Sequence, residues 1–281
     1  MLARFFSGRR SLMVSGVVLL ILAVVALLAP VLGRYNPNAT VGPSLDGVSS
    51  AHFLGTDEFG RDIWSRILFG MRNSIVIALA TAIVAGVIGS AAGLYGGYFG
   101  GTRDSVIMRI ADFLLGFPAL VAAMIVVAVF GASKTSPTVA AILITTPLFA
   151  RVVRGAVLSE RSKEYVLASR ALGAGTTRLL ARTLLPTVMP LILVQAAVAA
   201  ALAVQLEAGL SFLGMGVPKP EASLGSMLFS AKGFLYQSPG YAIFPGVAIT
   251  IVIGALIVFS NALEGHELVN EAALKRRAAE Q

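Results

Sequence analysis

The chain has 281 residues, 57% hydrophobic and only 13% charged, with a mean hydropathy of +0.85. Soluble domains carry roughly 25% charged residues, and a soluble core of this length cannot bury so much apolar sequence, so a soluble globular fold is excluded. The formal charge of +8 has three ordinary sources: nucleic acid, anionic lipid, or the lysine and arginine bias of cytoplasmic loops. The chain has no cysteine, which rules out disulfides, thiol catalysis and thiolate metal sites. Its two histidines, His52 and His266, read as surface residues rather than metal ligands.

Arg4, Arg9 and Arg10 precede an apolar run from about Leu12 to Leu32. It is longer than the ~7–15 residues of a signal-peptide core, and no small-x-small cleavage site closes it. It reads as an uncleaved first span. Arg34 to Asn73 is polar and turn-rich and reads as the longest external loop. Ser74 to Tyr98 is the second span, and its Gly86, Gly89 and Gly93 suit close helix packing in lipid. The turn Gly96–Gly101 lacks the Gly-Lys-Ser/Thr of a nucleotide loop and is read as a connection.

The third span runs from Asp112 to Gly131, with Pro118 predicted to kink it or mark its wet end. Arg109 and Asp112, three apart, are expected to pair at the helix end. Thr138 to about Arg154 is the fourth span, Val188 to about Gly216 the fifth, and Tyr241 to about Leu263 the sixth. Val217–Gly240 between the last two reads as a second external loop, and Glu264 onward as a charged helical tail. With both termini inside, fifteen of the 22 Lys and Arg fall in cytoplasmic segments and seven outside, as the positive-inside rule requires. The expected fold is therefore an all-α polytopic membrane protein of six helices, with both termini inside. Its expected divisions are 1–70, the first helix plus external loop; 71–263, a five-helix core with an internal loop at 161–186; and 264–281, the tail.

That internal loop organises the chain. Lys163–Pro186 suits two short helices divided by Gly173 and Gly175. Ala168, Ser169 and Ala171 keep the first one's side chains small, so another protein can approach its backbone. Thr176 or Thr177 is the expected cap of the second helix, Pro186 its expected end, and Arg178 and Arg182 share a face. Taken alone, Ser169, Gly173 and Leu179 also suit a DNA-binding helix-turn-helix. Membrane-length apolar runs on both sides decide against that reading.

The loop resembles the coupling motif of ABC-transporter permeases of bacterial importers: Glu-Ala-Ala, a glycine after three residues, then nine residues and Ile-x-Leu-Pro. Here Leu167-Ala168-Ser169 stand at Glu-Ala-Ala, followed by Gly173 and by Thr183, Leu185 and Pro186. Leu167, Ser169 and Thr183 depart from that pattern. Glu164-Tyr-Val-x-Ala-x-Arg-Ala-x-Gly is similar to the peptide-type variant, which carries its acidic residue earlier. The resemblance extends over nearly the whole chain. Gly55-Thr56-Asp57-x-x-Gly60-Arg61-Asp62-x-x-Ser65-Arg66, Met108-Arg109-x-x-Asp112 and Glu207-Ala-Gly-Leu-Ser-Phe-Leu-Gly-Met-Gly216 look like the dipeptide/oligopeptide/nickel branch, second permease type. The tail departs, since Asn261 is followed by Ala-Leu-Glu-Gly-His-Glu rather than by Gly-Asp and Arg-Asp at the usual spacing.

The resemblance implies the type I importer permease fold in the bacterial cytoplasmic membrane. It implies a second homologous permease, one or two ABC ATPase subunits, and an extracytoplasmic substrate-binding protein, all assembled in the lipid bilayer with no nucleic acid. ATP and Mg would bind the ATPase subunits. This chain would bind no cofactor and no metal and would have no catalytic residue. Glu164, Ala168, Ser169, Arg170, Ala171, Gly173, Leu185 and Pro186 would form the coupling surface, with Glu164 and Arg170 making polar contacts. The expected cargo is a di- or oligopeptide, with nickel or glutathione as alternatives.

Glu207 is the one carboxylate placed inside a span, where charge costs roughly 2.5 kcal/mol or more. With Ser211 and Phe212 it reads either as a pathway or gate group or as a structural contact near the helix end. Asp57, Arg61, Asp62 and Arg66 either touch an external protein or ligand, or pair among themselves and fix the loop. A secondary transporter would carry inverted repeats or several intramembrane charges, and a membrane enzyme a convergent cluster of reactive groups. The sequence has none of these.

Overall fold

The computed structural model describes residues 9–279, with side chains for 11–266. Arg4, in the N-terminal basic cluster, lies outside the described residues. The ordered elements are helical: α1 (Arg9–Leu27), α2 (Ala29–Leu32), α3 (Ile63–Phe99), α4 (Gly101–Leu115), α5 (Ala119–Phe130), α6 (Ser136–Glu160), α7 (Glu164–Ala171), α8 (Thr176–Arg178), a π segment (Leu179–Leu184), α9 (Leu185–Phe212), α10 (Leu224–Ala231) and α11 (Pro239–Ala279). Four stretches are long and apolar enough to cross a membrane: Ile63–Phe99, Ser136–Glu160, Thr176–Phe212 and Pro239–His266. The pair α4–α5 makes a fifth if its bend is counted as one broken span, and α1 contributes a shorter apolar helix, Ser11–Leu27.

The second span starts eleven residues earlier than its apolar run suggests. Asp62 is extended and its carboxylate accepts a hydrogen bond from the Ser65 backbone N–H, a side-chain cap of the kind that sets helix starts. Residues 64–73, read as part of the external loop, are thus helical. The third span is not one rod: α4 and α5 meet at 90° across Gly116-Phe117-Pro118. Pro118 has no N–H for the ladder and biases Phe117 away from helical backbone. Pro147, inside α6, is tolerated without a break.

Helices α3 and α6 pack most intimately. Gly89, Gly93 and Gly97 recur every four residues on one face of α3. A Cβ at Gly89 would lie 2.4 Å from the Thr146 carbonyl oxygen, and one at Gly93 2.6 Å from that of Ala150. Only hydrogen side chains let the backbones come this close. Helix α9 completes the centre, with Ala199 and Phe149 fully buried beside Ala85. Helix α11 closes one side against α1 and α9 and runs without a break through Glu264, where the tail was expected to begin.

Two ends of the bundle follow. One gathers residues 33–62, the α5–α6 turn and 213–238, and is called the loop end. The other gathers Gly97–Asp104, Arg154–Arg161 and α7, and is called the hairpin end. The segment read as a second external loop contains the eight-residue helix α10, capped by the Ser223 hydroxyl on the Ser226 N–H.

Candidate functional site

At the hairpin end, α7 buries one residue. Val166 is fully buried in a cluster with Leu94, Val153, Val157, Leu179, Leu184 and Val188. The remainder faces out: Glu164, Ala168, Arg170, Ala171 and Gly173 are exposed, Ser169 is half-buried, and Leu172 is 89% exposed. Gly173 adopts φ +80°. Its N–H donates to Arg170 O and the Ala174 N–H to Ser169 O, the paired bonds of a helix end that needs a left-handed residue. Ser169 Oγ donates to Tyr165 O, so this hydroxyl is spent on its own helix.

Beyond the turn the expected second helix does not stop at Pro186. Residues 176–212 are one continuous helix. Gly175, not Thr176 or Thr177, occupies the cap position, with no side-chain bond. The Leu185 N–H reaches back five residues to Leu180 O, a π turn that widens the helix just before the proline. Leu185 is half-buried and Pro186 exposed. The second arm of the 163–186 hairpin is therefore continuous with α9, and α7 joins it through the turn at Gly173.

Ion pairs brace this end. Arg154 grips Asp104 through Nε and Nη2, the latter at 2.6 Å. Arg161 Nη1 donates to Gly97 O at 2.9 Å. Glu160 accepts from Lys163 Nζ at 2.6 Å and from the Tyr165 hydroxyl at 2.7 Å. Burial, and then this bond to Glu160, hold the Tyr165 phenol above its usual pKa. Asp112 pairs with Arg151 at 2.6 Å, not with Arg109. The three-residue spacing brings Arg109 near, but α6 offers a partner from another helix.

At the loop end the Gly55–Asp62 fingerprint is a buried knot. Asp57 is fully buried; its Oδ1 accepts from the Phe59 and Arg61 N–H groups, and its Oδ2 lies 2.6 Å from Arg61 Nε and 3.4 Å from Arg66 Nε. Asp62 Oδ1 lies 3.0 Å from His52 Nδ1, and its Oδ2 accepts from Ser65. His52 is thus buried and bonded rather than superficial; His266 is half-buried. Thr56 Oγ1 donates to Pro43 O and accepts from the Asp46 N–H. Gly60, at φ +70°, touches Gly42 so closely that a Cβ would sit 2.1 Å from its carbonyl oxygen. Gly55, also left-handed, passes the Asp46 carbonyl in the same way. Asp57, Arg61 and Asp62 thus pair within the loop, with Arg66 Nε held beside Asp57 as an ion pair and not a hydrogen bond, which is the self-pairing alternative.

Glu58 carries the knot to the rest of the end, accepting from the Tyr241 hydroxyl and lying 3.5 Å from Lys219 Nζ. Burial pushes its carboxyl up, but hydrogen bonds from Tyr241, its own backbone and Ser230, with the Lys219 charge, outweigh it and hold the pKa below the usual value. A folded pKa below the unfolded one means stability that is complete above the unfolded value, ~4.3, and lost as pH falls through the folded one. The melting temperature in detergent should fall on acidification below about pH 4.3, and Glu58→Gln should flatten that part of the profile; an unchanged profile would mean that Glu58 carries none of it.

Glu207 is 1% exposed. Oε1 accepts from Ser211 at 2.9 Å and Ser223 at 2.7 Å, and Oε2 lies 3.4 Å from Ser74 Oγ. The carboxylate joins α3, α9 and the residue that caps α10. Ser211 is buried with it, while Phe212 is half exposed at the helix end with the Lys232 ammonium 5.2 Å from its ring. Ser74 and Ser223 have no local signal in the sequence, because they reach Glu207 only through tertiary packing. We expect Glu207→Gln to cost about 1 kcal/mol and Glu207→Leu, which strands the hydroxyls, about 3 kcal/mol. Equal costs in unfolding assays would reject the bridging role, and lost uptake at unchanged stability would identify a pathway group.

These elements define an all-helical bundle with helices long and apolar enough to cross a membrane and a braced hairpin exposed at one end. The chain belongs to the family of binding-protein-dependent transport system inner membrane components, whose profile matches residues 87–266. It is 31% identical to the dipeptide transport system permease protein of Haemophilus influenzae, over 92% of this chain and 90% of that one. It is 37% identical to the glutathione transport system permease protein of Pectobacterium atrosepticum, over 78% and 72%. Among solved structures it resembles a chain of the MetNI methionine ABC transporter in an inward-facing conformation, with TM-score 0.54 and 19% identity over 74% of this chain and 97% of that one; this similarity speaks for the fold. The chain is thus a membrane permease subunit of an ABC importer, and ATP hydrolysis belongs to a separate subunit.

Proposed function

We propose that this chain forms half of the translocation pathway of a di- or oligopeptide importer, with a second homologous permease forming the other half. One or two ATPase subunits grip the hairpin, bind ATP and Mg, and push; an extracytoplasmic binding protein delivers cargo at the loop end. In this reading six spans (α1, α3, α4–α5, α6, α8–α9 and α11) place both termini and the hairpin in the cytoplasm. The fifteen-to-seven distribution of basic residues supports that orientation.

The observation that carries the reading is the hairpin. Its first helix buries only Val166, is tied to Glu160 through the Tyr165 hydroxyl, and presents Leu167, Ala168, Ala171 and Leu172 outward, an apolar surface suited to a groove on another protein. Peptide is favoured as cargo by the dipeptide relative, and glutathione is the second reading by virtue of the other. The test is uptake of labelled dipeptide, longer peptide, glutathione and nickel by the complete complex in vesicles. ATP-dependent entry of peptide is expected; transport by this chain alone would overturn the reading. Because the natural chain has no cysteine, Ser162→Cys and Ser49→Cys can be labelled singly with an impermeant maleimide. Only the second should react in intact cells.

Coupling has its own expected result. Valine at position 173 must hold φ near +80° against a steric cost of roughly 1–3 kcal/mol. Gly173→Val should insert and fold normally and let ATP turn over, yet lower uptake roughly tenfold. Unchanged uptake would remove the hairpin from the drive.

A further inference from the structure

A groove at the loop end has the chemistry of an amphipathic anion. Its mouth is a cavity of about 760 Å³ bordered by Arg34, Arg72, Lys134 and Glu221, three cations against one carboxylate. Lys134 is paired with Glu221. Arg34 donates to Ser50 O and lies over the Phe53 ring. Arg72 is exposed and, among the described residues, has no hydrogen-bond or ion-pair partner. Directly along the helix axes the groove continues into a second cavity of about 370 Å³, which shares Asn73, Val76 and Lys134 with the first and is otherwise walled by residues such as Ile77, Ala80 and Val139. Arg72, Val76 and Ala80 are four apart on α3, so charge sits one turn from the first apolar wall residue and two from the next. Val76 is 58% exposed in this chain.

We propose that this groove binds an anionic phospholipid, with the phosphate at Arg72 and Lys134 and an acyl chain along Val76, Ala80 and Val139. A free phosphate has no use for the apolar floor, and a zwitterionic lipid does not answer the surplus positive charge. The mouth lies at the end of α2, beside the first turns of α3 and the α5–α6 turn, which is where a headgroup meets helices that cross a bilayer. The site rests on the chain being a membrane bundle and not on the identity of its cargo.

The test is a titration of the purified full chain in neutral detergent with phosphatidylglycerol or phosphatidylcholine, counting bound lipid by native mass spectrometry. Phosphatidylglycerol should bind at least about fivefold more tightly, and Arg72→Gln and Lys134→Gln should each weaken it about fivefold. Val76→Trp should remove binding with both cations in place, and excess inorganic phosphate should not compete. Equal binding of the two lipids, indifference to Arg72→Gln, or displacement by phosphate would overturn the assignment. So would efficient cross-linking of Val76→Cys to the second permease in the complete complex, which would make the groove a protein interface. Arg72→Gln removes no internal bond, so its melting temperature should be that of the parent chain. Peptide uptake by the complex reads the transport function separately from lipid binding.

Discussion

Replacing Gly89 by valine is expected to leave little correctly folded chain in the membrane. The new Cβ would stand 2.4 Å from Thr146 O and 2.5 Å from Phe149 Cβ, closer than atoms can approach, and neither neighbour is free to retreat. Phe149 is fully buried in the contact between α3 and α6, beside Ala85 and Ala199, and the carbonyl is part of α6 itself. Relief requires moving two membrane-length helices apart along the most intimate packing in the molecule. Overpacking of a tight core costs about 1–3 kcal/mol and sometimes more; with backbone opposed, the upper part of that range is expected. The readouts are the yield of monodisperse protein and its melting temperature in detergent. Gly155→Ala is the control, since nothing lies within 4 Å of a Cβ there, and alanine in a helix interior is favoured over glycine by up to about 1 kcal/mol. Normal folding of Gly89→Val would mean that the two helices are not held at this distance.

What sequence reveals and conceals divides by range. The small-residue rows of α3 announced close packing, because lipid offers no hydrophobic force to hold helices together and only intimate contact will do. They did not name α6 as the partner. The turn at Gly173 was legible, since glycine between two helical patterns marks a left-handed residue. The helix start at Asp62 was hidden because Ser65, Arg66, Arg72 and Asn73 interrupt the apolar run over the next three turns, so apolar run length and helix length differ. Continuity through Pro186 was hidden too: a proline usually ends a helix, and here a π turn accommodates it. Least legible were the pairings. Arg109 was the local choice for Asp112 and Arg151 the actual one, 39 residues away. Glu207 drew notice for its cost, yet two of its three hydroxyl partners come from elements 16 and 133 residues distant. Spacing rules describe neighbours on one helix and are silent on which helices meet.

The second large effect belongs to Asp57. Asp57→Asn keeps the shape of the side chain and removes only its charge and one acceptor. The oxygen at the Oδ1 position can still receive the Phe59 and Arg61 N–H groups. At the other position an NH₂ would face Arg61 Nε–H, which stands 2.6 Å away, donor against donor. Turning the amide over merely moves that conflict to the two backbone N–H groups. Arg61 and Arg66 would then be buried cations, each about 5% exposed or less, with no carboxylate at Oδ2 between them. Removing one partner of a buried ion pair costs about 3–5 kcal/mol because the surviving charge stays desolvated. Arg66 also donates to Pro37 O at 2.7 Å and Pro220 O at 3.3 Å, so its displacement would loosen residues 33–38 and the segment before α10 together. The expected result is a large fall in melting temperature with new protease sites in 34–62 and 217–223, while the hairpin end keeps its protection. Restoring a carboxylate as Asp57→Glu should recover less than half of the loss, since Asp57 is fully buried and another methylene must displace the Arg61 and backbone N–H partners it now holds. A loss under about 0.5 kcal/mol in Asp57→Asn, the size of an exposed ion pair, would show that the loop end is held by something other than this carboxylate.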